Sequence, residues 1–158
     1  MKQHFVGLMI FIFAACTGSS VLSDTALTVV QKNGDGVQEL TLQQLQEFRQ
    51  VELRTGNEFV DGEKIFRGPL AREVLQLDDS DPPEIVILTA ANDYQVEVST
   101  QEFQDYDVIL ALSMDDKNLS RRDKGPIWVI YPMSDHEELR DPVYNSRLIW
   151  QLVKMEVK

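Results

Sequence analysis

Apolar and polar residues alternate along several short stretches of this chain, and β-branched residues are frequent in them. Such alternation is typical of strands that bury one face and expose the other. The pattern predicts strands near residues 26–31, 37–40, 84–89, 95–98, 108–113, 127–131 and 148–157. An Asn-Gly-Asp-Gly sequence at 33–36 is predicted to turn between the first two, because Asn and Gly accept a positive φ at little cost. The chain is therefore expected to be mainly β.

Three short helices are predicted from capping residues that precede apolar residues at helical spacing. Thr41 and Gln44 would form a capping box ahead of the first helix, in which each side chain satisfies the other's backbone amide. Pro69 is expected just inside the start of the second helix, since its fixed φ suits the first turn. Ser99 with Glu102 would cap the third. Strands and helices together predict one α+β domain at 24–158, a mainly β mixed-sheet fold with a few short helices.

The N-terminal residues carry the signature of a bacterial secretory signal peptide, taken as residues 1–23. Lys2 precedes an uninterrupted apolar run at 5–15, which is too short to span a bilayer, and small residues follow it. Cleavage after Ser23 would release a soluble chain. Cleavage before Cys16, which follows a lipobox-like Phe-Ala-Ala, would instead leave an acylated, anchored lipoprotein. In both cases the domain is expected to work outside the cytoplasm, in the periplasm.

Composition narrows the chemistry available after the signal segment. The only cysteine is Cys16 and the two histidines are His4 and His136, so the chain from residue 24 onward has no cysteine and one histidine. Disulfides, cysteine nucleophiles and thiolate or Cys/His zinc sites are therefore excluded there. All 26 acidic residues lie after residue 23, whereas one of the 15 basic residues is Lys2, which leaves 14 basic residues and a net charge of −12. This charge repels phosphate, so nucleic acids and anionic lipid surfaces are not expected partners.

Four segments carry a resemblance to a known family. They read Phe-Arg-Gly-Pro-Leu-Ala-Arg-Glu-Val-Leu at 66–75, Ala-Asn-Asp-Tyr at 91–94, Leu-Ser-Arg-Arg-Asp-Lys-Gly-Pro-Ile-Trp-Val-Ile-Tyr-Pro at 119–132 and Arg-Leu-Ile-Trp-Gln-Leu-Val-Lys-Met-Glu-Val at 147–157. A charged loop, a Gly-Pro turn, an apolar run and a Trp-bearing final strand follow one another in this order. The chain thereby resembles the molybdopterin-binding domain of the sulfite oxidase family. The resemblance covers nearly the whole chain after residue 23, and it implies that family's fold and a cofactor cleft used for redox chemistry.

The chain departs from the family where the cofactor chemistry is concentrated. By spacing, the family's metal-ligating cysteine segment corresponds to residues 52–58, which read Glu-Leu-Arg-Thr-Gly-Asn-Glu and contain no sulfur. Soft metal centres of this type depend on thiolate ligation. Trp128 takes the position nearest to the family's phosphate-binding Arg, so the bidentate guanidinium clamp is missing as well. No metal and no catalytic residue is therefore expected, and molybdopterin is an alternative that would depend on other contacts.

The resemblance and the charge pattern together indicate a ligand or anion cleft. Its candidate residues are Asn92, Tyr94, Arg121, Arg122, Lys124 and Trp128. Each has a structural alternative, because Asn-Asp is ordinary turn chemistry, a basic run is usually a solvated loop, and a Trp in an apolar strand usually packs in the core. Trp128, Tyr131 and Trp150 would form a platform of rings only if they faced one cleft.

An acidic loop at 134–141 surrounds the one histidine that follows the signal segment. Asp135, His136 and Glu138 are ligand types for a divalent cation. Groups so close together in a loop are seldom arranged in advance for binding, so this loop is expected to be solvated.

These observations give three functional hypotheses. The first is a secreted sulfite-oxidase-like domain that acts as a sensory or accessory module, binding a small ligand or a partner protein of the periplasm or inner membrane, without molybdenum redox chemistry. The alternative is a molybdopterin-dependent oxidoreductase that holds its cofactor through Arg121, Lys124 and backbone amides. The third is a lipid-anchored interaction protein, if Cys16 is acylated.

Overall fold

The computed structural model describes residues 24–32, 36–78, 82 and 84–158. The strands in these residues are β1 (Leu27–Val30), β2 (Val37–Leu40), β3 (Gln50–Thr55), β4 (Lys64–Pro69), β5 (Ile85–Ala90), β6 (Gln95–Ser99), β7 (Ile109–Ala111), β8 (Ser113–Met114), β9 (Lys117–Asn118), β10 (Trp128–Ile130) and β11 (Leu152–Val157). The α-helices are α1 (Leu42–Glu47), α2 (Ala71–Leu75) and α3 (Thr100–Asp105). Short 3-10 helices span Arg121–Asp123, Glu137–Arg140 and Pro142–Arg147. The described chain mixes α and β elements and consists mostly of strands, as the sequence pattern predicts.

Three sheets organise these strands within the described residues. The largest has the strand order β2-β1-β11-β5-β6. In it β1 and β11 run parallel, and the other neighbours are antiparallel. A four-stranded antiparallel sheet has the order β3-β4-β8-β9, and β7 pairs with β10 in a two-stranded sheet. The first and last strands of the described chain therefore meet inside the largest sheet.

Two hydrophobic clusters form the core. Val29 of β1, Leu88 of β5 and Met155 of β11 are fully buried in the first cluster, at alternate positions of their strands. The second cluster is built on β4, β7 and β10, where the rings of Phe66 and Trp128 meet edge-to-face with centroids 5.5 Å apart. Apolar burial of this kind drives folding, at about 25 cal/mol for each Å² removed from water.

Strands β4 and β7 approach each other so closely at Gly68 that no side chain fits between them. A Cβ atom at Gly68 would stand 2.6 Å from the carbonyl carbon of Leu110 and 2.9 Å from the Cα of Ala111. Both of these atoms belong to the backbone, so they cannot move aside without displacing β7. Gly68 thus allows the contact between the two smaller sheets.

The predicted capping box at the start of α1 is confirmed. The hydroxyl of Thr41 accepts a hydrogen bond from the amide of Gln44 at 3.2 Å, and the amide of Thr41 donates to Gln44 Oε1 at 2.9 Å. Ser99 is likewise the N-cap of α3, but its hydroxyl accepts from the amide of Gln101 at 3.3 Å. Glu102 takes no part in this cap, because side chains of other elements bind its carboxylate.

Several predicted boundaries were wrong. Pro69 is the last residue of β4, where it stands opposite Gln50, and α2 begins two residues later with Leu70 as its N-cap. The strand predicted at 148–157 begins only at Leu152. The apolar run at 108–113 is divided between β7 and β8, because the chain pairs first with β10 and then with β4.

Strands β3, β4 and β9 were not among the predicted strands, and only the first residue of β8 falls in one of them. In β3, buried Leu53 and Thr55 alternate with exposed Glu52 and Arg54, which is a strand pattern. β8 and β9 have two residues each, too few for any periodicity.

Two features predicted from the sequence lie outside the described residues. The predicted signal peptide at 1–23, with Cys16, lies there, and so do residues 33–35 of the predicted turn. β1 and β2 nevertheless pair as antiparallel strands, and the amide of Gln31 donates to the carbonyl of Gly36 at 2.9 Å. Among the described residues, no helix is long and apolar enough to cross a membrane.

Candidate functional site

A cleft of about 570 Å³ opens beside the point where β5 ends and β11 begins. Its walls come from the β3–β4 loop, the β5–β6 hairpin, the 3-10 helix Pro142–Arg147 and the segment that leads into β11. The lining residues are Glu58, Phe59, Ala90, Asn92, Tyr94, Pro142, Asn145, Ser146, Leu148, Ile149 and Trp150. Pockets that bind small organic molecules usually have volumes of about 300–1,000 Å³, so this cleft is large enough for such a ligand.

The β5–β6 hairpin supplies Asn92 and Tyr94, two of the predicted site residues. Asp93 between them has a positive φ of 65°, and its amide donates to the carbonyl of Ala90 at 3.0 Å. Asn92 Oδ1 accepts a hydrogen bond from the amide of Tyr94 at 3.2 Å. The turn role of Asn92 is thus confirmed, and the same turn brings Asn92 and Tyr94 into the lining of the cleft.

The β3–β4 loop supplies Glu58 and Phe59, neither of which was predicted for the site. Two hydrogen bonds fix the start of this loop: the amide of Gly56 donates to Ser134 Oγ at 3.2 Å, and the amide of Ser134 donates to Thr55 Oγ1 at 3.1 Å. Thr55 is fully buried. This reciprocal pair attaches the loop to the segment that follows β10, so one side of the cleft has a rigid base.

Aromatic rings give the cleft much of its surface. The rings of Phe59 and Trp150 meet edge-to-face, with centroids 5.0 Å apart and an interplanar angle of 86°. Trp150 is 38% exposed and Tyr94 is 49% exposed. Accessible aromatic surface in a concave site favours ligand binding, because covering it releases water and the ring leaves few rotamers to immobilise.

The 3-10 helix Pro142–Arg147 forms the opposite wall. Its start is capped by Asp141, whose Oδ1 accepts from the amide of Val143 at 2.9 Å. The hydroxyl of Ser146 donates to the carbonyl of Val143 at 2.8 Å. These bonds hold the short helix in shape, and it contributes Pro142, Asn145 and Ser146 to the lining.

A polar network holds this helix against the rest of the domain. Arg147 Nη1 forms an ion pair with Glu102 Oε1, and the two side chains are only 18% and 16% exposed. The hydroxyl of Tyr131 donates to Glu102 Oε2 at 3.0 Å, and the guanidinium carbon of Arg147 lies 4.5 Å from the centre of the Tyr144 ring. Burial, together with the adjacent Glu102 carboxylate, raises the pKa of Tyr131 well above its ordinary value. The network links α3 to the wall of the cleft.

The charge of the lining is negative. Glu58 is the one carboxylate among the lining residues, and no Lys, Arg or His stands among them. Glu58 forms no hydrogen bond or ion pair with any other described residue. A phosphate or carboxylate ligand would therefore meet an unpaired negative charge without a cation to bind it.

The predicted basic cluster does not join the cleft. Arg121 and Arg122 are exposed on their own 3-10 helix, and Lys124 follows it with a φ of 67°. Gln151 holds this loop in place, because its Nε2 donates to the carbonyl of Arg121 at 2.7 Å and its amide donates to the carbonyl of Lys124 at 3.1 Å. The structure therefore separates the predicted ring and amide residues from the predicted basic residues.

Trp128 is a core residue, which corrects its assignment to the cleft. Its side chain is fully buried, and its indole nitrogen donates to the carbonyl of Leu148 at 3.0 Å. The Lys124 ammonium lies 5.2 Å from the centre of its ring. Tyr131 is also fully buried, so of the three rings considered as a platform only Trp150 lines the cleft.

The acidic loop around His136 forms local contacts. His136 Nδ1 lies 3.6 Å from Glu138 Oε1, and the hydroxyl of Tyr106 donates to the same carboxylate at 3.1 Å. In the described residues, no group of three or more His, Cys, Asp or Glu side chains is arranged to hold a metal ion.

The donor set of the cleft does not fit molybdopterin. The metal of that cofactor needs a thiolate, and its phosphate needs cationic donors, whereas the lining contains neither sulfur nor a basic side chain. No protein-family model matches the chain, and no curated protein matches it either. The family resemblance therefore depends on the segments quoted from the sequence.

Proposed function

We propose that this protein is an exported binding module, a sulfite-oxidase-like domain that holds a small organic ligand in its cleft and carries no molybdenum redox chemistry. The observation that supports this best is the cleft, with about 570 Å³ of volume and a lining of aromatic rings and side-chain amides. Such groups bind and orient a ligand. None of the lining residues forms a nucleophile–base pair of the kind used in covalent catalysis.

The position of the cleft agrees with the family resemblance. Residues 52–58, which correspond by spacing to the family's cysteine segment, end at Glu58 in the lining. The Ala-Asn-Asp-Tyr segment contributes Asn92 and Tyr94, and the final segment contributes Trp150. A family domain that lost its cysteine would keep this concave surface, which could then serve a different ligand in a sensory or accessory role.

The proposal can be tested with the two tryptophans as internal reporters. The chain contains two Trp residues. Trp150 lines the cleft, whereas the indole of Trp128 is buried and hydrogen-bonded. Each indole N–H gives its own resonance in a ¹⁵N-labelled NMR spectrum. In a screen of small organic molecules, a cleft ligand should shift the Trp150 resonance more than that of Trp128.

Two variants decide whether such a ligand occupies the cleft. Tyr94→Ala removes an exposed lining ring and should weaken binding about tenfold, the loss expected for one stacked aromatic contact. Val37→Ala removes apolar surface that is 63% exposed on β2, outside the lining, and should leave binding unchanged. A screen in which no compound moves the Trp150 resonance would contradict the proposal.

A molybdopterin-dependent oxidoreductase remains the competing proposal, and native mass spectrometry separates the two. The protein would be purified from the periplasm of a host that makes molybdopterin. Our proposal predicts the bare polypeptide mass. Additional mass that matches the pterin, and that disappears in an Arg121→Ala, Lys124→Ala double variant, would favour the oxidoreductase. The same spectrum gives the N-terminal residue, which tests the predicted cleavage after Ser23 or before Cys16.

A further inference from the structure

We infer that the cleft selects an organic cation: a small molecule whose alkylated ammonium group lies against the aromatic lining and close to Glu58. This inference depends on the proposed function, because it names the ligand class of the same cleft. Three features of the described residues support it: the aromatic rings in the lining, the Glu58 carboxylate, and the absence of basic side chains from the lining.

The aromatic rings of the cleft favour a cationic ligand. Phe59, Tyr94 and Trp150 all line the cleft, and Tyr94 and Trp150 retain large exposed fractions. Phe59 supports Trp150 through its edge-to-face contact at 5.0 Å, so the indole is held in place before a ligand arrives. The face of an aromatic ring carries negative charge density that attracts ammonium groups, and Trp and Tyr are the strongest residues of this kind.

A carboxylate lies in the same lining as these rings. Glu58 precedes Phe59 in the β3–β4 loop and lines the cleft with it. It has no hydrogen-bond or ion-pair partner among the described residues, so its charge is not neutralised by the protein. Glu58 is exposed, so solvent screens its charge, but a cation bound in the cleft would still gain a modest attraction from it.

The basic side chains on the segments next to the cleft are not part of its lining. Arg147, at the end of the 3-10 helix that forms one wall, is paired with Glu102. Lys124 lies over the ring of Trp128, and Arg121 belongs to the exposed loop held by Gln151. An anionic ligand would thus find Glu58 without a compensating cation. The net charge of −12 after residue 23 acts in the same direction, since it raises the local concentration of cations.

Two pairs of probes test the inference by isothermal titration calorimetry on the processed chain. Choline and 3,3-dimethylbutan-1-ol share one shape and differ in a single positive charge. Benzyltrimethylammonium and benzenesulfonate share a ring and differ in the sign of the charge. One exposed cation–π contact favours a cation about two- to fivefold, so two such contacts together with Glu58 should favour choline over the neutral alcohol by about tenfold or more.

Matched variants assign that preference to particular residues. Glu58→Gln should reduce the preference for choline about threefold, whereas Glu63→Gln, which removes the same charge from the same loop outside the lining, should not change it. Trp150→Leu should lower choline affinity, and Trp150→Phe should retain most of it because a ring remains. The thermal midpoint of each variant shows whether it is folded.

Each outcome has a definite meaning. A tenfold preference for the cation that falls in Glu58→Gln but not in Glu63→Gln supports the inference. Equal affinity for choline and its neutral isostere, or tighter binding of benzenesulfonate, overturns it and leaves the proposed binding function intact. Failure of both ammonium compounds to bind at millimolar concentration also overturns it. The proposed function itself falls only if the broader NMR screen finds no cleft ligand.

Discussion

Replacing Glu102 with Gln is expected to destabilise the protein and loosen one wall of the cleft. Gln keeps the shape of the side chain and an oxygen that can accept from the hydroxyl of Tyr131. What it removes is the charge that pairs with Arg147. The guanidinium would then remain mostly buried without a counterion, supported only by the ring of Tyr144. The main loss is therefore the cost of an unpaired, poorly hydrated cation.

The size of the effect follows from the burial of the pair. Removing one partner of a fully buried ion pair costs about 3–5 kcal/mol, whereas exposed pairs contribute about 0–1 kcal/mol. The side chains of Arg147 and Glu102 are 18% and 16% exposed, so solvent still reaches part of each. We expect a loss of about 2–3 kcal/mol of unfolding free energy, which lies between those limits and nearer to the buried one. For a domain of this size, the thermal midpoint should fall by about 5–10 °C.

Urea denaturation at neutral pH measures this loss. Glu97→Gln is the matched control, because Glu97 is exposed on β6 and its replacement should change the unfolding free energy by less than about 0.5 kcal/mol. A double-mutant cycle with Arg147→Met should give a coupling energy of about 2 kcal/mol between the two positions. A loss below about 0.5 kcal/mol in Glu102→Gln, or a coupling energy near zero, would refute this account of the network.

Three further predictions address the core and the titrating groups. Gly68→Ala should lower the unfolding free energy, measured by urea denaturation, by about 1–3 kcal/mol or more, because β7 must move. A Cβ at Gly36 meets only ordinary contacts, so Gly36→Ala should lower it far less. Equal losses in the two variants would contradict the close approach of β4 and β7. The unfolding free energy should decline as the pH rises above 10.0, the ordinary pKa of tyrosine. The pKa of Tyr131 is raised in the folded protein, so the unfolded chain loses this phenolic proton at a lower pH than the folded one does. Tyr131→Phe should flatten the decline. Glu156 should titrate with a pKa of about 2 in ¹³C NMR, because two lysines bind its carboxylate. Its contribution to stability is therefore present above pH 4.5 and is lost as the pH falls toward about 2. An unshifted pKa of Glu156 in the wild type, or no rise of that pKa in Lys154→Met, would contradict this prediction.

The sequence predicted those elements whose signals are local. The capping box of Thr41 and Gln44 is complete within four residues, so nothing distant was needed to recognise it. Strands such as β5 and β10 are apolar runs that are buried in the core. Pro69 shows where a local signal misleads: its fixed φ suits a helix start, but pairing with β3 keeps it in the extended conformation. That pairing joins segments distant in sequence, and no local pattern reports it.

The candidate site was harder to predict because its walls come from four separate segments. Asn92 and Tyr94 were proposed from the family resemblance, and the turn that the Asn-Asp sequence also predicts brings both into the lining. Glu58 and Phe59 lacked such a signal, since nothing in the β3–β4 loop shows that it approaches Trp150. Trp128 and Trp150 belong to similar apolar contexts, yet one is buried and the other is exposed. The difference depends on how the segment before β11 lies against β10, through the bond from the amide of Val129 to the carbonyl of Ile149 at 2.9 Å.

The separation of the rings from the basic loop also bears on the ligand. Gln151 fixes the loop through the carbonyls of Arg121 and Lys124, at 2.7 Å and 3.1 Å. Moving these residues into the cleft would break both hydrogen bonds, at about 0.5–1.5 kcal/mol each, and would withdraw the Lys124 ammonium from the ring of Trp128. An anion would have to compensate this reorganisation before gaining any contact. A cation would meet Trp150 and its neighbouring rings as they already stand, and preorganised contacts of that kind lose little of their binding energy to rearrangement.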